Sequence, residues 1–263
     1  MKKALSIAGS DCSGGAGIQA DLKTFSAHGI FGMTAVTSVV AENTFTVVDI
    51  QDISPDNIKK QIDCVFDDIV PDAVKIGMLS CRETMLAVAE RLRHWKAANI
   101  VIDPVMYAKN GAALMEPSAI DTLIAEIVPL SDVITPNIPE AEEIAKLPIN
   151  SLEDMKQAAI KIHGMGCRAV VVKGGHMDGD AIDILYDGES FYQFPAKRVD
   201  TKHTHGTGCT FSAAIAANLA LGLATEEAVR KAKDYTLGAI AHAPGLGKGH
   251  GPTNHFWLSS AKT

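Results

Sequence analysis

The sequence lacks the features that mark nucleic-acid-binding, membrane-spanning and disulfide-stabilised proteins. It has a formal net charge of −7 and no run of basic residues, which argues against a nucleic-acid partner. No apolar stretch is long enough to cross a bilayer, and the run from Ala4 to Ala8 is too short for a signal peptide. The five cysteines are scattered and form no C-x-x-C pair, which argues against a disulfide framework and a zinc site. We therefore expect a soluble protein of the reducing cytoplasm.

Two common nucleotide-binding motifs are also absent from the glycine-rich stretch 9–17, GSDCSGGAG. The stretch lacks the Lys-Ser or Lys-Thr of a P-loop, and its glycines do not have the spacing of the dinucleotide fingerprint. It is either a mobile turn between a strand and a helix or a flexible cover that lets the backbone approach a ligand. In the second interpretation, Asp21 in the early turns of the following helix is a polar substrate contact.

Short apolar runs alternate with helical patterns along the 263 residues. The predicted strands include 4–8, 34–40, 73–76, 100–102, 133–134 and 169–172. The predicted helices lie at about 18–26, 55–67, 80–96, 117–127, 138–145, 152–163 and 209–221, and a further helix begins at Thr225. The alternation predicts a mostly parallel sheet with helices on both faces, to which the segments 180–185 and 191–194 add a small antiparallel hairpin. Because no linker or repeat interrupts the chain, we expect one domain over 1–263.

Polar side chains follow several of these strands at the point where each strand ends. They are Asp103, Asn137, Glu140 and Lys173, and Glu42 ends an earlier strand. Ligands of parallel sheets bind outside the carboxyl ends of the strands, so these side chains are expected to share one site. Asp103 and Glu140 are suited to hold Mg²⁺. Asn137 can orient the metal or a phosphate oxygen, and Lys173 can neutralise phosphate charge.

A second glycine-rich turn lies directly before a small-residue apolar helix that ends at Gly222. The N–H groups of Gly206 and Gly208 can converge on one point, and the first turn of the helix adds further unpaired N–H groups. Together they favour a phosphate or a phosphoryl group in transfer. Cys209 lies in the same positive field, which is expected to lower its thiol pKa and let it take a proton from a substrate hydroxyl. The alternative is a tight turn before a buried helix, with Cys209 as a core residue.

These features together describe a kinase without a P-loop. The chain resembles the hydroxymethylpyrimidine/phosphomethylpyrimidine kinases of thiamine biosynthesis, a branch of the ribokinase-like superfamily. The blocks that carry the resemblance follow one another over nearly the whole chain: IAGSDCSGGAGIQADLKT, KIGML, DPVM, TPNIPEAE, VVKGGH, THGTGCTFSAA and GKGHGPTNHF. Such an ordered set is far more specific than any single block. The resemblance implies a ribokinase-like three-layer α/β/α sandwich, the use of ATP and Mg²⁺, and a homodimer.

The resemblance also implies roles for individual residues. The pyrimidine is expected among Gly9, Asp21, Glu42, Met78 and Val105. The segment with Asn137 and Glu140 resembles the Mg²⁺/phosphate motif, and the turn Gly206-Thr207-Gly208-Cys209 resembles the anion hole. Lys173 and this turn are then the catalytic groups. Where Glu42 stands, familiar members carry glutamine, so the aminopyrimidine edge would meet a carboxyl group instead of an amide.

Three alternatives stay open at this point. A pyridoxal, pyridoxine or pyridoxamine kinase shares the fold and the mechanism, although the segment 41–44 suits an aminopyrimidine better. An acyl transferase or hydrolase would use Cys209 as nucleophile and His205 or His176 as base, but it leaves the strand-end residues without a role. A non-catalytic binding protein has no support from the sequence, because every expected catalytic position is filled.

Overall fold

The computed structural model describes residues 1–108, 111–175 and 180–260. Its strands are β1 (Lys3–Asp11), β2 (Phe31–Glu42), β3 (Val47–Asp52), β4 (Ala73–Ile76), β5 (Ile100–Ile102), β6 (Val133–Ile134), β7 (Val170–Val172), β8 (Asp183–Tyr186) and β9 (Phe191–Phe194). Within these ranges they form one sheet in the order β3-β2-β1-β4-β5-β6-β7-β8-β9. Neighbouring strands pair in parallel along the central run β2-β1-β4-β5-β6-β7. The outer strands β3, β8 and β9 pair with their neighbours in antiparallel fashion. The prediction of a mostly parallel sheet is confirmed.

Helices cover both faces of this sheet. They are α1 (Gly17–Ala27), α2 (Pro55–Asp68), α3 (Arg82–His94), α4 (Ile120–Thr122), α5 (Ile138–Ala145), α6 (Leu152–His163), α7 (Thr207–Ala220), α8 (Thr225–Ala241) and α9 (Trp257–Ser260). One apolar core includes Ile62 of α2, Met85 of α3 and Met155 of α6. A second core includes Phe25 of α1 and Ile215 of α7. Two cores on opposite faces of one sheet confirm the three-layer α/β/α arrangement.

Local sequence signals explain where several helices begin. Helix α2 starts with Pro55, and the side chain of Ser54 accepts a hydrogen bond from the N–H of Asn57. Helix α6 starts in the same way, because Ser151 accepts from the N–H of Asp154. Such caps satisfy N–H groups that have no partner inside the helix and contribute about 1 kcal/mol each.

Helix α7 differs from the others because it is buried nearly all round. It packs against the sheet and against both α1 and α8, and its middle is rich in alanine. Small side chains let the neighbouring helices approach closely, while a helix with no polar face must lie in the interior. The N-terminus of α7 is thereby held at the carboxyl edge of the sheet. No helix within the described ranges is long and apolar enough to cross a lipid bilayer.

Three elements differ from the predicted ones. Strand β1 continues past residue 8 to Asp11, which brings that side chain to the edge of the sheet. Strand β3 was not predicted, because it is an edge strand with most side chains exposed and no regular apolar alternation. The helix predicted at 117–127 is present but irregular. Its α-helical part is the short α4, which lies between a 3₁₀ turn at Pro117–Ala119 and a π turn at Leu123–Ile127, and a second 3₁₀ turn follows at Val128–Leu130. Pro129 cannot donate the hydrogen bond that a regular α-helix would need there.

Candidate active site

A cavity of about 550 Å³ opens where the parallel strands of the sheet end. Its walls come from the ends of β1 and β2, the end of β4, the loops after β5 and β6, and the first turn of α7. The volume falls in the range of small-molecule sites. The predicted site residues that line it are Gly9, Glu42, Met78, Asp103, Val105, Asn137, Glu140, Lys173, Gly206, Thr207, Gly208 and Cys209. The structure therefore brings together all of the predicted site residues except Asp21.

The turn before α7 requires glycine at its first position. Gly206 has φ +75°, and a Cβ atom there would lie 1.8 Å from the carbonyl oxygen of Gly15. Thr207 begins the helix, and its hydroxyl donates to the carbonyl oxygen of Thr204 at 2.8 Å. Helix α7 thus starts two residues earlier than predicted. Because Cys209 lies in the first helical turn, the N–H groups around it are available to an anion in the cavity.

An ion pair stands directly against this helix terminus. The ammonium of Lys173, which follows β7, donates to Asp103, which follows β5, at 2.9 Å. A Cβ atom on Gly208 would lie 3.0 Å from Oδ2 of Asp103 and 3.3 Å from Nζ of Lys173. Glycine at this position therefore lets a carboxylate and a cation both approach the helix N-terminus. The two charges lie where phosphate oxygens would meet the turn.

A capping box brings Glu140 to the same place. The side chain of Asn137 accepts from the N–H of Glu140 at 3.0 Å, and the carboxyl group of Glu140 accepts from the N–H of Asn137 at 2.8 Å. Burial raises the pKa of Glu140 to about 7, and the nearby Asp103 carboxylate adds to this effect while Lys173 opposes it. The two acids offer only oxygen ligands and carry a surplus of negative charge. This donor set fits a hard divalent cation. We refer to one part of the cavity wall as the transfer end: Asp103, Glu140, Lys173 and the turn 206–209.

At the other end of the cavity, Asp11 organises the glycine-rich stretch. Its carboxylate accepts hydrogen bonds from three backbone N–H groups at 2.7–2.8 Å and from Nε2 of His205 at 2.9 Å. The backbone donors are Ser13, Gly15 and Ala16. Burial alone would favour the neutral acid, but these bonds and the charge on His205 hold the pKa of Asp11 well below its usual range. The glycine-rich stretch is therefore tied to the end of β1 by a carboxylate.

Glu42 faces this carboxylate from the end of β2. Glu42, Asp11 and His205 form an acid–histidine cluster in which one polar atom of each residue lies within 4.8 Å of the others. Burial raises the pKa of Glu42 to about 7, and the Asp11 charge raises it further while His205 opposes the shift. The pKa of His205 is itself raised, because the effect of Asp11 exceeds the opposing effect of burial. Near neutral pH, Glu42 is consequently divided between the acid and the carboxylate.

Asp21 is fully buried and does not line the cavity. Its Oδ2 accepts from the hydroxyl of Ser6 at 2.5 Å and from the ammonium of Lys75 at 2.9 Å. Lys75, the partner of Asp21 on β4, is itself one of the residues that line the cavity. Asp21 is therefore not part of the cavity wall in this structure, and its contact with the substrate stays a prediction. Its side chain has no exposed surface, and its ion-pair partner Lys75 lines the cavity.

The prediction of a lowered thiol pKa at Cys209 is wrong. Burial raises the pKa of Cys209 to about 11. The Lys75 charge and a hydrogen bond from the N–H of Gly17 favour the thiolate, but they do not outweigh burial. The position at a helix N-terminus is visible in the sequence, whereas the burial of the thiol is not.

Comparison with known proteins decides the family. Residues 11–254 match the family model described as phosphomethylpyrimidine kinase. The chain belongs to this family. It is 49% identical over 257 residues to the hydroxymethylpyrimidine/phosphomethylpyrimidine kinase of Rhizobium meliloti, with 96% of each chain covered.

Two further relatives extend this comparison. The chain is 47% identical over 253 residues to the thiamine biosynthesis bifunctional protein ThiED of Geobacter sulfurreducens, covering 96% of this chain and 52% of that longer protein. The crystal structure of an ADP complex of Bacillus subtilis pyridoxal kinase superposes with a TM-score of 0.91 at 41% identity and covers 99% of both chains. The fold is thus the ribokinase-like α/β fold.

Membership in the phosphomethylpyrimidine kinase family makes the chain an ATP-using phosphotransferase. The acyl-transfer alternative loses its support, because the family and the named relatives are kinases. His176, one of the two bases considered for it, lies outside the described residues.

Asp11 and Lys75 are site residues that the sequence did not reveal. Asp11 lies in a glycine-rich stretch that has no recognised motif, and its partner His205 is 194 residues away. Lys75 and Asp21 are 54 residues apart and meet because β1 and β4 are neighbours. A usable signal existed for Lys75, since a lysine inside the apolar strand 73–76 must have an anionic partner when buried.

Proposed function

We propose that the protein transfers the γ-phosphoryl group of ATP to 4-amino-5-hydroxymethyl-2-methylpyrimidine and then to its monophosphate, as a step of thiamine biosynthesis. One observation carries the proposal: the anion-binding turn, the Asp103–Lys173 pair and the carboxyl group of Glu42 all line one cavity. A phosphoryl donor and a small polar heterocycle therefore have complementary ends of the same site. The names of the relatives support the pyrimidine as the acceptor.

Transfer requires little covalent chemistry from the protein. The substrate oxygen bonds to the γ-phosphorus as the bond to ADP breaks, and charge spreads over the equatorial oxygens. The N–H groups of the turn 206–209 and the ammonium of Lys173 stabilise that charge. Cys209 in its thiolate form accepts the hydroxyl proton. In the resting site this is the minor form, because burial raises the thiol pKa.

Mg²⁺ is the metal that we propose for the transfer end. Asp103 and Glu140 would hold it, in part through water, and Asn137 and Thr207 would orient the phosphate oxygens. When bound, the ion neutralises charge on the triphosphate. The support is the pair of buried carboxyl groups: burial, assisted by the Asp103 charge, already raises the pKa of Glu140 to about 7.

The pyrimidine ring is proposed to bind at the acid–histidine cluster. Gly9, Met78 and Val105 would contact the ring, and a Cβ atom on Gly9 would already lie 3.2 Å from the sulfur of Met78. Glu42 would face the amino group and the ring nitrogen. A neutral carboxyl group has one donor and one acceptor, so protonated Glu42 can make the same pair of hydrogen bonds as an amide.

A pyridoxal kinase is the second candidate, because a pyridoxal kinase shares the fold at 41% identity. Its substrate carries an acidic phenolic hydroxyl in place of an amino group. The anionic Asp11 and the partly ionised Glu42 suit that group less well than the aminopyrimidine edge. We therefore rank vitamin B6 salvage below thiamine biosynthesis.

We further propose a single kinase domain over 1–263 that works as a cytoplasmic homodimer. The continuous sheet supports the single domain, and the free cysteines suit a reducing compartment. The homodimer rests on the family resemblance and is checked by light scattering.

A coupled ADP-release assay tests the proposed function. The protein is given ATP and Mg²⁺ with the hydroxymethylpyrimidine, its monophosphate or pyridoxal in parallel reactions. We expect turnover on both pyrimidines. Turnover on pyridoxal alone would contradict the assignment, and a Cys209→Ala variant provides the background rate.

A further inference from the structure

The buried pair of Lys75 and Asp21 has no role in the chemistry described so far. Both side chains have no exposed surface, and the two charges are 2.9 Å apart. Removing two charges from water is costly, and a well-packed apolar pair of the same volume is often at least as stable. Stability alone therefore does not explain why a lysine stands in the middle of the apolar strand β4.

The surroundings are shaped to hold an ammonium group at this place. A Cβ atom on Gly77 would lie 2.7 Å from Nζ of Lys75, so glycine there leaves room for the cation. The Asp21 carboxylate accepts a hydrogen bond from this ammonium, and the hydroxyl of Ser6 donates to the same carboxylate. Oδ1 of Asp21 has no hydrogen-bond partner among the described residues. The carboxylate is thus only partly satisfied by its own hydrogen bonds, and the ammonium is its counterion.

Both members of the pair belong to elements, β4 and α1, that pack against helix α7, which begins with the turn of Cys209. Lys75 and Cys209 line one cavity, and helix α1, which carries Asp21, packs against α7, which carries Cys209. The charged groups that act on the thiol come from four elements: Lys75 on β4, Asp21 on α1, Asp103 after β5 and Lys173 after β7. Among these charges, the Lys75 ammonium has the strongest effect on the thiol, and it favours the thiolate.

We propose that Lys75, held in position by Asp21, is the positioning residue that stabilises the thiolate of Cys209 as it accepts the substrate proton. The proposal rests on the proposed phosphoryl transfer to a hydroxyl group. In that step, the substrate O–H bond breaks and an S–H bond forms on Cys209. At the same time, the substrate oxygen bonds to the γ-phosphorus and the nucleoside diphosphate leaves. Lys75 keeps its own proton throughout, so it acts by charge alone.

Alkylation of the ligand-free protein tests this role without any substrate. The full chain is treated with iodoacetamide between about pH 8 and about pH 9.5, where the rate follows the thiolate fraction. Modification of the Cys209 peptide is measured by mass spectrometry, with the exposed Cys64 in the same digest as internal reference. The variants are Lys75→Met and Asp21→Asn, which remove opposite charges from one ion pair.

The proposal predicts opposite effects in the two variants. Lys75→Met is expected to slow alkylation of Cys209 by about tenfold, equivalent to one pKa unit. Asp21→Asn is expected to accelerate it, because the ammonium then acts without its counterion. If the pair had only a structural role, both substitutions would loosen the packing around Cys209 and change both alkylation rates in the same direction. That outcome, or unchanged rates in both, would overturn the proposal.

A second variant protects the test against misfolding. If Lys75→Met does not fold, the double variant Lys75→Met/Asp21→Asn replaces it, because this protein contains no unpaired buried charge. Its Cys209 is expected to react more slowly than that of Asp21→Asn alone, and an equal rate would contradict the proposal. Because no substrate is present, failure here leaves the ADP-release test of the proposed function unaffected.

Discussion

The two ends of the cavity balance their charges differently. At the transfer end, Asp103 is bonded to Lys173 at 2.9 Å, and the same ammonium acts on Glu140. At the acid–histidine cluster, two carboxyl groups share one histidine, and Asp11 already uses most of its lone pairs on backbone donors. The first end is suited to a polyanion that arrives with its own cation. The second is suited to a ligand that brings a proton or a polarised amino group.

This difference separates catalysis from substrate choice. The glycines and charges of the transfer end match the needs of any phosphoryl transfer, whichever acceptor is bound. The acid–histidine cluster is proposed to bind the acceptor, so changes there are expected to alter substrate preference more than phosphoryl transfer. Variants at the two ends are therefore expected to have different kinetic signatures, from a general loss of turnover to a change in preference.

The largest effect is expected at Lys173. Lys173→Met removes the cation beside the transferring group and leaves Asp103 without its partner. We expect kcat/KM to fall by about 10² to 10³ for every acceptor in a coupled ADP-release assay. Lys60→Met is the control, because Lys60 is exposed and, among the described residues, forms an ion pair with Asp56 one helical turn away. A loss on one acceptor alone would show that the transfer end also selects the substrate.

A smaller loss is expected from Gly208→Ala. The added methyl group would lie 3.0 Å from Oδ2 of Asp103, so the ion pair must shift by a few tenths of an ångström. We expect kcat to fall about tenfold with little change in KM for the acceptor. A thermal melt checks that the helix terminus is intact. Full activity would mean that the approach of Asp103 to the turn is not needed for transfer.

The third prediction concerns the metal. Glu140→Gln keeps the shape of the side chain but removes one carboxylate, so the Mg²⁺ concentration for half-maximal rate is expected to rise about tenfold. In the wild-type protein, Glu140 has a pKa of about 7 before metal binds. Metal must displace that proton, so apparent Mg²⁺ affinity should weaken as the pH falls below about 7. Equal Mg²⁺ curves for variant and wild type would remove Glu140 from the metal site.

The smallest effect is expected at Glu42. Below its pKa of about 7 the side chain is a neutral acid that can donate, and above it the carboxylate can only accept. The KM of the wild-type protein for the hydroxymethylpyrimidine is therefore expected to rise severalfold as the pH passes about 7. Glu42→Gln should retain activity with a flatter profile, because an amide donates at every pH. An unchanged pH profile would remove Glu42 from ring recognition.

The sequence could predict most of the transfer end because its signals are local. The turn 206–209, the capping pair Asn137 and Glu140, and the strand-end position of Asp103 can each be recognised within a few residues. The parallel sheet then brings them together by a general rule. The positions of α5 and α6 were predicted for the same reason, since caps and apolar spacing mark their ends.

The acid–histidine cluster and the Lys75–Asp21 pair could not be predicted in this way. Asp11 meets His205 across 194 residues, and Lys75 meets Asp21 across 54 residues. Such contacts depend on strand order and on which side chains become buried. Burial also reverses the expectation for Cys209, whose helix position favours the thiolate while its surroundings favour the thiol.

The most direct test of the account compares substrate preference in three proteins at about pH 8. The ratio of kcat/KM for the hydroxymethylpyrimidine to that for pyridoxal is measured for the wild type, Glu42→Gln and Gly208→Ala. We predict that Glu42→Gln changes this ratio, because an amide and a carboxylate act differently on the amino group of the pyrimidine and on the phenolate of pyridoxal. Gly208→Ala should lower both rates and leave the ratio unchanged. An unchanged ratio in Glu42→Gln, or a changed ratio in Gly208→Ala, would contradict the separation of catalysis from substrate choice.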